Sequence, residues 1–104
     1  MDHRLKKKRQ FAYIYRKGNR SSTKHLTLFT LPSKFSCYKI GYSVSKKIGK
    51  ANVRNKVKRR LREIVRTSDF ARKNTNYVLM AKEGIDMLTF DELKTQVKEI
   101  FNKN

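Results

Sequence analysis

Residues 51 to 66, ANVRNKVKRRLREIVR, constrain the fold more than any other stretch of this chain. Val53, Val57, Leu61, Ile64 and Val65 recur at helical spacing and fill an arc of roughly 120°, wide enough to anchor a helix on a sheet. Asn52 is the candidate N-cap, and the helix runs to about Arg66. The other side chains of this helix are almost all basic. Whatever the chain folds into must bury one stripe of the helix and leave a cationic surface beside it.

At 104 residues there is room for about one domain with one small core, and residues 1–104 read as a single unit. Lysine and arginine number 27 against 8 acids, a formal charge of +19. Solubility does not need that much charge, and it opposes compaction by self-repulsion, so a polyanionic partner is the simplest reason to keep it. The excess is local: residues 3 to 62 hold 20 basic side chains and no acid, whereas residues 63 to 104 hold 7 of each. Membranes and nucleic acids are both polyanions. No apolar run approaches the ~20 residues of a spanning helix. The start, MDHRLKKKRQFAYIY, lacks the apolar run and small-residue cleavage site of a signal peptide and reads as mature protein. Cys37 is the only cysteine, which excludes an internal disulfide and fits a reducing, cytosolic setting.

Residues 8 to 17 read as a short helix that stops at Gly18-Asn19. Phe11 and Tyr15 share a face with Ile14 beside them, while Tyr13 points away. On spacing alone, Phe11 and Tyr15 fit either a core or a binding surface. HLTLFTL (25 to 31) alternates as a strand and ends at Pro32, with Leu26 and Leu28 on one face and Thr27, Phe29 and Leu31 on the other. YKIGYSVS (38 to 45) sends Tyr38, Ile40, Tyr42 and Val44 one way and Lys39, Gly41, Ser43 and Ser45 the other. A short loop around Lys34 to Ser36 predicts that the two strands pair antiparallel. YVLMA (77 to 81) is apolar enough for a strand covered on both faces. In TFDELKTQVKEIFNKN, Thr89 and Glu92 predict a capping box, and Phe90, Leu93, Val97, Ile100 and Phe101 predict the buried stripe. The order is helix, two strands, helix, strand, helix, with room for a third short strand near Ser43 to Lys46. The expected class is an α+β (α/β) sandwich of helices on a small mixed sheet.

Beside the apolar stripe of the central helix, Arg54, Lys58, Arg62, Asn55, Arg66 and Arg59 sweep through roughly the next 140°. Lys56 and Arg60 fall on the other flank. A solvated charged face is the usual fate of such residues, but solvated faces normally mix signs, because like charges four apart cost a few tenths of a kcal/mol per pair. Arg54, Lys58 and Arg62 stack two such pairs, and Glu63 is the only acid among them. This points to a surface built for a polyanion, with nuclear localisation the weaker rival.

The string GYSVSKKIGKANVRNKVKRRLRE (41 to 63) closely resembles the signature of the bacterial ribonuclease P protein family, an Arg-Asn-rich segment preceded by an SVSKKIG-like turn. RLKKKRQFAYIYRKG (4 to 18) is similar to the opening helix of that family, and HLTLFTL to its aromatic-bearing strand. One departure is Lys56, which stands where the family's Arg-Asn-Arg triplet has its second arginine; it keeps the charge without the bidentate phosphate geometry. The resemblance implies a protein subunit of an RNA enzyme that removes the 5′ leader of precursor transfer RNA. The catalytic RNA cuts, with magnesium ions held by RNA and substrate rather than by the protein. It also implies a left-handed strand–helix–strand crossover, an exception to the right-handed rule, and a cytoplasmic, bacterial setting. The expected RNA-subunit contacts are Lys46, Lys47, Lys50, Arg54, Asn55, Lys56, Lys58, Arg59, Arg62 and Arg66. Residues corresponding to Phe11, Tyr15 and Phe29 line the family's cleft for the single-stranded leader, and Lys34 and Lys39 are candidates for charge beside it. Aromatic faces suit unpaired bases, since a stack contributes roughly 1–3 kcal/mol and tolerates any base.

A protein nuclease needs an acid–base pair or a metal cage. His3 lies near the terminus, His25 opens a strand with no evident carboxylate partner, and Cys37 has no histidine or second thiol near it in sequence. No catalytic or metal-binding residue is therefore expected in the protein, and the partners expected are the catalytic RNA and precursor transfer RNA, with no membrane and no DNA. A structural ribosomal protein is the alternative that composition alone fits equally well. A duplex-DNA binder lacks helix-turn-helix or zinc spacing.

Overall fold

The structure is a computed structural model and describes residues 3–5 and 7–103. Its elements are α1 (Lys8–Lys17), β1 (Asn19–Ser22), β2 (Leu26–Pro32), β3 (Lys39–Ser43), α2 (Ala51–Arg66), β4 (Thr75–Ala81) and α3 (Phe90–Asn102), with single 3-10 turns at Lys46–Ile48 and Ile85–Met87. One mixed sheet has the order β1-β2-β4-β3. β2 is antiparallel to β1 and β4, and β3 is parallel to β4, with α2 between them in the chain. The α+β class is as expected.

Two details of strand placement differ from the sequence reading. β2 and β3 do not form a hairpin, because β4 lies between them and bonds to both. The apolar Tyr77–Leu79 segment takes an interior position, where both its faces are covered and both its edges are paired. The additional strand is β1, immediately after α1, and not the region of Ser43 to Lys46, which turns into the 3-10 segment. NRSS carries no apolar alternation, so nothing in its periodicity announced a strand.

α2 and α3 pack on one face of the sheet in a core that contains Leu26, Leu28, Ile40, Tyr77 and Leu79 from the strands, Val57, Leu61, Ile64 and Val65 from α2, and Leu93, Val97, Ile100 and Phe101 from α3. The four α2 side chains are almost wholly buried. At about 1.5–3 kcal/mol each, their burial far exceeds the few tenths per like-charge pair on the exposed side. Hydrophobic anchoring is what lets α2 carry its charge. The predicted N-cap of α2 is corrected: Lys50 occupies that position without a side-chain cap, and Asn52 lies inside the first turn. The capping box of α3 forms as expected, with the Glu92 amide donating to Thr89 Oγ1 (3.2 Å) and the Thr89 amide to Glu92 Oε1 (2.9 Å).

α1 covers the opposite face of the sheet through a smaller cluster of Leu5, Ile14 and Val78, with Phe11, Phe29 and Leu31 packed against it. The chain start is also used. Residues 3 to 5 extend the sheet beside β3: Ile40 donates its amide to the His3 carbonyl (2.6 Å), and Leu5 donates to that of Ile40 (3.2 Å). The His3 ring stacks on Tyr38 with centroids 4.0 Å apart and has Nδ1 2.8 Å from the Tyr38 carbonyl oxygen. His3 is thus part of the fold and covers a sheet edge that would otherwise invite another strand.

Candidate nucleic-acid interface

The basic side chains of α2 divide between its two flanks. On the flank toward β3, the Arg62 guanidinium lies 5.9 Å from the centroid of the Tyr42 ring, a cation–π arrangement. Burial pushes the Tyr42 hydroxyl well above the usual tyrosine range, helped by Tyr38 and opposed by Arg62, so it stays protonated. Lys58 and Arg54 lie one and two turns before Arg62 and are half-buried, and Arg54 Nε is buried without a hydrogen-bond partner among the described residues. On the other flank, Arg60 donates to the Leu88 carbonyl (3.3 Å), which ties it to the segment before α3. Asn55, Lys56, Arg59 and Arg62 are exposed, as are Lys46, Lys47 and Lys50 ahead of the helix. Arg66 is exposed but engaged: it grips both carboxylate oxygens of Glu63 at 2.8 Å, and this hydrogen bonding raises its pKa further. The first amides of α2 have no side-chain cap and sit among lysines, which suits phosphate oxygens.

The three aromatics lie on the other face of the sheet. The strand register sets a row across it, Arg20–Phe29–Val78–Gly41, each residue directly opposite the next. Val78 is completely buried. The Phe11 ring covers Gly41, where a Cβ would overlap it. Tyr15 meets Phe29 edge-on with centroids 4.9 Å apart. Phe11 and Phe29 are half-buried and Tyr15 is 36% exposed, so each helps to seat α1 and keeps part of its ring in contact with solvent. By burial, Phe11 and Tyr15 are thus partly packed and partly accessible. The next row, Ser22–Thr27–Met80–Ser43, has half-buried Ser22, Met80 and Ser43 around a buried Thr27 and extends this face.

Lys39 belongs to a third row, Leu31–Asn76–Lys39, on the same face as Phe29. Lys34 stands apart from the aromatics, in a groove on the opposite flank of α1. Arg20 is a residue that the sequence reading missed. It is exposed and directly across from Phe29, and it became visible only once NRSS was seen to pair with β2.

Among the described residues no group of three or more His, Cys, Asp or Glu side chains gathers to hold a metal ion, and no helix is long and apolar enough to cross a membrane. His25 is bonded through its ring to Gln96 on α3 (2.8 Å).

Fold and surfaces together define a small polycationic α+β module with a basic helix on one face of its sheet and a partly exposed aromatic cluster on the other. The family model for ribonuclease P matches residues 1–104, and the chain belongs to that family. It is 34% identical over 102 residues to the ribonuclease P protein component of Bacillus velezensis, covering 97% of this chain and 88% of that one. The solved RNase P protein of Staphylococcus aureus is 28% identical and superposes with a TM-score of 0.88, covering 99% of this chain and 95% of that one. The RNase P protein of Thermotoga maritima, at 23% identity, shares the fold with a TM-score of 0.88 over 97% of this chain and 96% of its own.

Proposed function

We propose that the chain serves as the protein subunit of bacterial ribonuclease P, in the cytoplasm, by holding two RNAs on two surfaces. The exposed side of α2 and the lysines before it bind the phosphate backbone of the catalytic RNA. The face formed by Phe11, Tyr15 and Phe29 takes the single-stranded 5′ leader of precursor transfer RNA. The observation that carries this reading is the separation of the two surfaces by one sheet: a basic helix whose single acid is Glu63 on one side, accessible rings on the other. Arginine suits phosphates, and rings suit unpaired bases.

In this reading the protein neutralises charge and positions the substrate. Magnesium ions held by RNA would supply the charge stabilisation and activated water for cleavage of the phosphodiester. Among the described residues no group of three or more His, Cys, Asp or Glu side chains gathers on the basic surface, so this reading gives the ions to the RNA. Lys39 and Arg20 add charge beside the aromatic face. Arg54, Lys58, Arg59 and Arg62 neutralise phosphates, while Asn55, being neutral, contributes hydrogen bonds.

Titration of the catalytic RNA with single alanine variants at a series of salt concentrations tests the basic surface. Each lost duplex-phosphate contact should make the slope of log affinity against log salt shallower by about 0.9. Asn55→Ala should weaken binding without that change. Unchanged slopes for Arg54, Lys58, Arg59 and Arg62 would overturn the assignment.

A further inference from the structure

α1 has a second flank. Ile14 points into the sheet, Phe11 and Tyr15 fall to one side of it, and Gln10 and Tyr13 fall to the other. On that other side a groove of ≈ 460 Å³ opens between α1 and the segment following β2, lined among others by Arg9, Tyr13, Leu31, Lys34, Phe35 and Asn76. Its two rings are the least buried aromatics described: Phe35 is 67% and Tyr13 48% exposed. Two exposed rings lining one groove make a contiguous patch of the kind that marks an interaction site.

Phe35 is also held in place. Asn74, in the left-handed region at φ 59°, donates its side-chain amide to the Phe35 carbonyl (2.6 Å). The Phe35 amide donates to Ser33 Oγ (3.2 Å), and the Ser33 amide to the Asn74 carbonyl (2.7 Å). The turn is thus anchored to the start of β4 and presents its ring to solvent. Beside it, Asn76 has a buried Oδ1 with no hydrogen-bond partner among the described residues. Arg9 and Lys34 supply positive charge, no acidic side chain among the described residues lines the groove, and Arg16 sits 5.6 Å from the Tyr13 ring centroid.

We infer that this groove is a second binding site for unpaired RNA, in which bases stack on Tyr13 and Phe35 and phosphates meet Arg9 and Lys34. Rings and cations in one open channel are what a sequence-tolerant single-strand site requires, and the Asn76 oxygen is an acceptor beside them. A protein partner would find the rings but also a rim of one sign. The site is separate from the Phe11–Tyr15–Phe29 face and does not depend on that face being the leader surface. The strand could belong to the leader or to another unpaired segment of the assembled enzyme; the chemistry is shared.

The chain has no tryptophan, so Phe35→Trp places a single reporter in the groove at an exposed position. Titration of the full chain with a single-stranded RNA of about ten nucleotides should quench its emission saturably, and a duplex with as many phosphates should quench it far less. Tyr13→Ala in that background should weaken the binding read at the tryptophan at least about fivefold, the lower end of the effect of one lost stack. In reconstituted holoenzyme, quenching only by precursors with a long leader assigns the strand to the leader. Quenching independent of leader length assigns it to other unpaired RNA. Equal quenching by strand and duplex, or no effect of Tyr13→Ala, would overturn the inference. So would an emission change that follows protein concentration rather than RNA, which would mark the groove as a contact between copies of this chain.

Discussion

Phe11 occupies the space that a side chain at position 41 would fill: a Cβ on Gly41 would overlap its ring. A side chain at position 41 would force the Phe11 ring to shift, so the glycine lets that ring lie directly on β3. Gly41→Ala should lower stability by about 1–3 kcal/mol, the usual effect of overpacking, or lift Phe11 off the sheet. Urea denaturation measures the first and leader affinity the second. Affinity for the catalytic RNA should change little, because α2 lies on the other face.

Leu61 and Arg62 are neighbours in sequence with opposite surroundings. Leu61 is completely buried, whereas Arg62 is exposed at the edge of the basic surface. Leu61→Ala should destabilise the protein by about 2–5 kcal/mol. Arg62→Ala should cost about 1 kcal/mol or less in stability, through the lost Tyr42 contact. Its effect should appear in the salt dependence of RNA binding instead. Paired denaturation and RNA titrations check both.

Glu63 is the one acid within the basic helix, and it holds Arg66 by two hydrogen bonds. An exposed pair of this kind adds little stability. Glu63→Gln should leave the denaturation midpoint nearly unchanged, yet strengthen binding of the catalytic RNA by freeing Arg66 and removing a repelling charge. If Arg66 reaches a phosphate, the salt slope should steepen by up to about 0.9.

The Glu92 carboxylate accepts from the Thr89 amide, which holds its pKa below the usual range. A carboxyl whose folded pKa is depressed contributes stability that is present above its unfolded value, about 4.3, and is lost as pH falls through the folded value. Glu92→Gln keeps an acceptor oxygen at the cap but cannot titrate. The wild type should thus lose its advantage over this variant as the pH is lowered from neutral through that window, as denaturation midpoints at a series of pH values would show. A difference that stays constant with pH would contradict the assignment.

What could be read in the sequence follows what periodicity encodes. The stripe from Val57 to Val65, the alternation in β2 and the Thr89–Glu92 cap all express local rules, and all are present. Strand order is not local. The short β2–β3 connection suggested a hairpin, but only burial on both sides could send the Tyr77–Leu79 segment to the centre. β1 is exposed or half-buried along its length and shows no apolar pattern, so Arg20 has no periodicity to mark it. The helical spacing of Phe11, Ile14 and Tyr15 showed which residues share a side of α1. That Lys34 lies beyond the other flank depended on the course of the segment after β2, which alternation does not specify. The role of His3 is not local either, because its partner, Tyr38, is 35 residues away.

The central claim is that Phe11, Tyr15 and Phe29 meet the leader while α2 meets the catalytic RNA. The direct measurement is the affinity of reconstituted holoenzyme for precursor transfer RNA with a leader of several nucleotides and with a leader of one. It is made with wild-type protein and with alanine at the three aromatics, after circular dichroism has confirmed that the variants fold. A stack contributes roughly 1–3 kcal/mol, so each variant that loses one should bind the long-leader substrate about fivefold or more weakly and the one-nucleotide substrate as the wild type does. Equal losses for both substrates, or no loss for either, would contradict it.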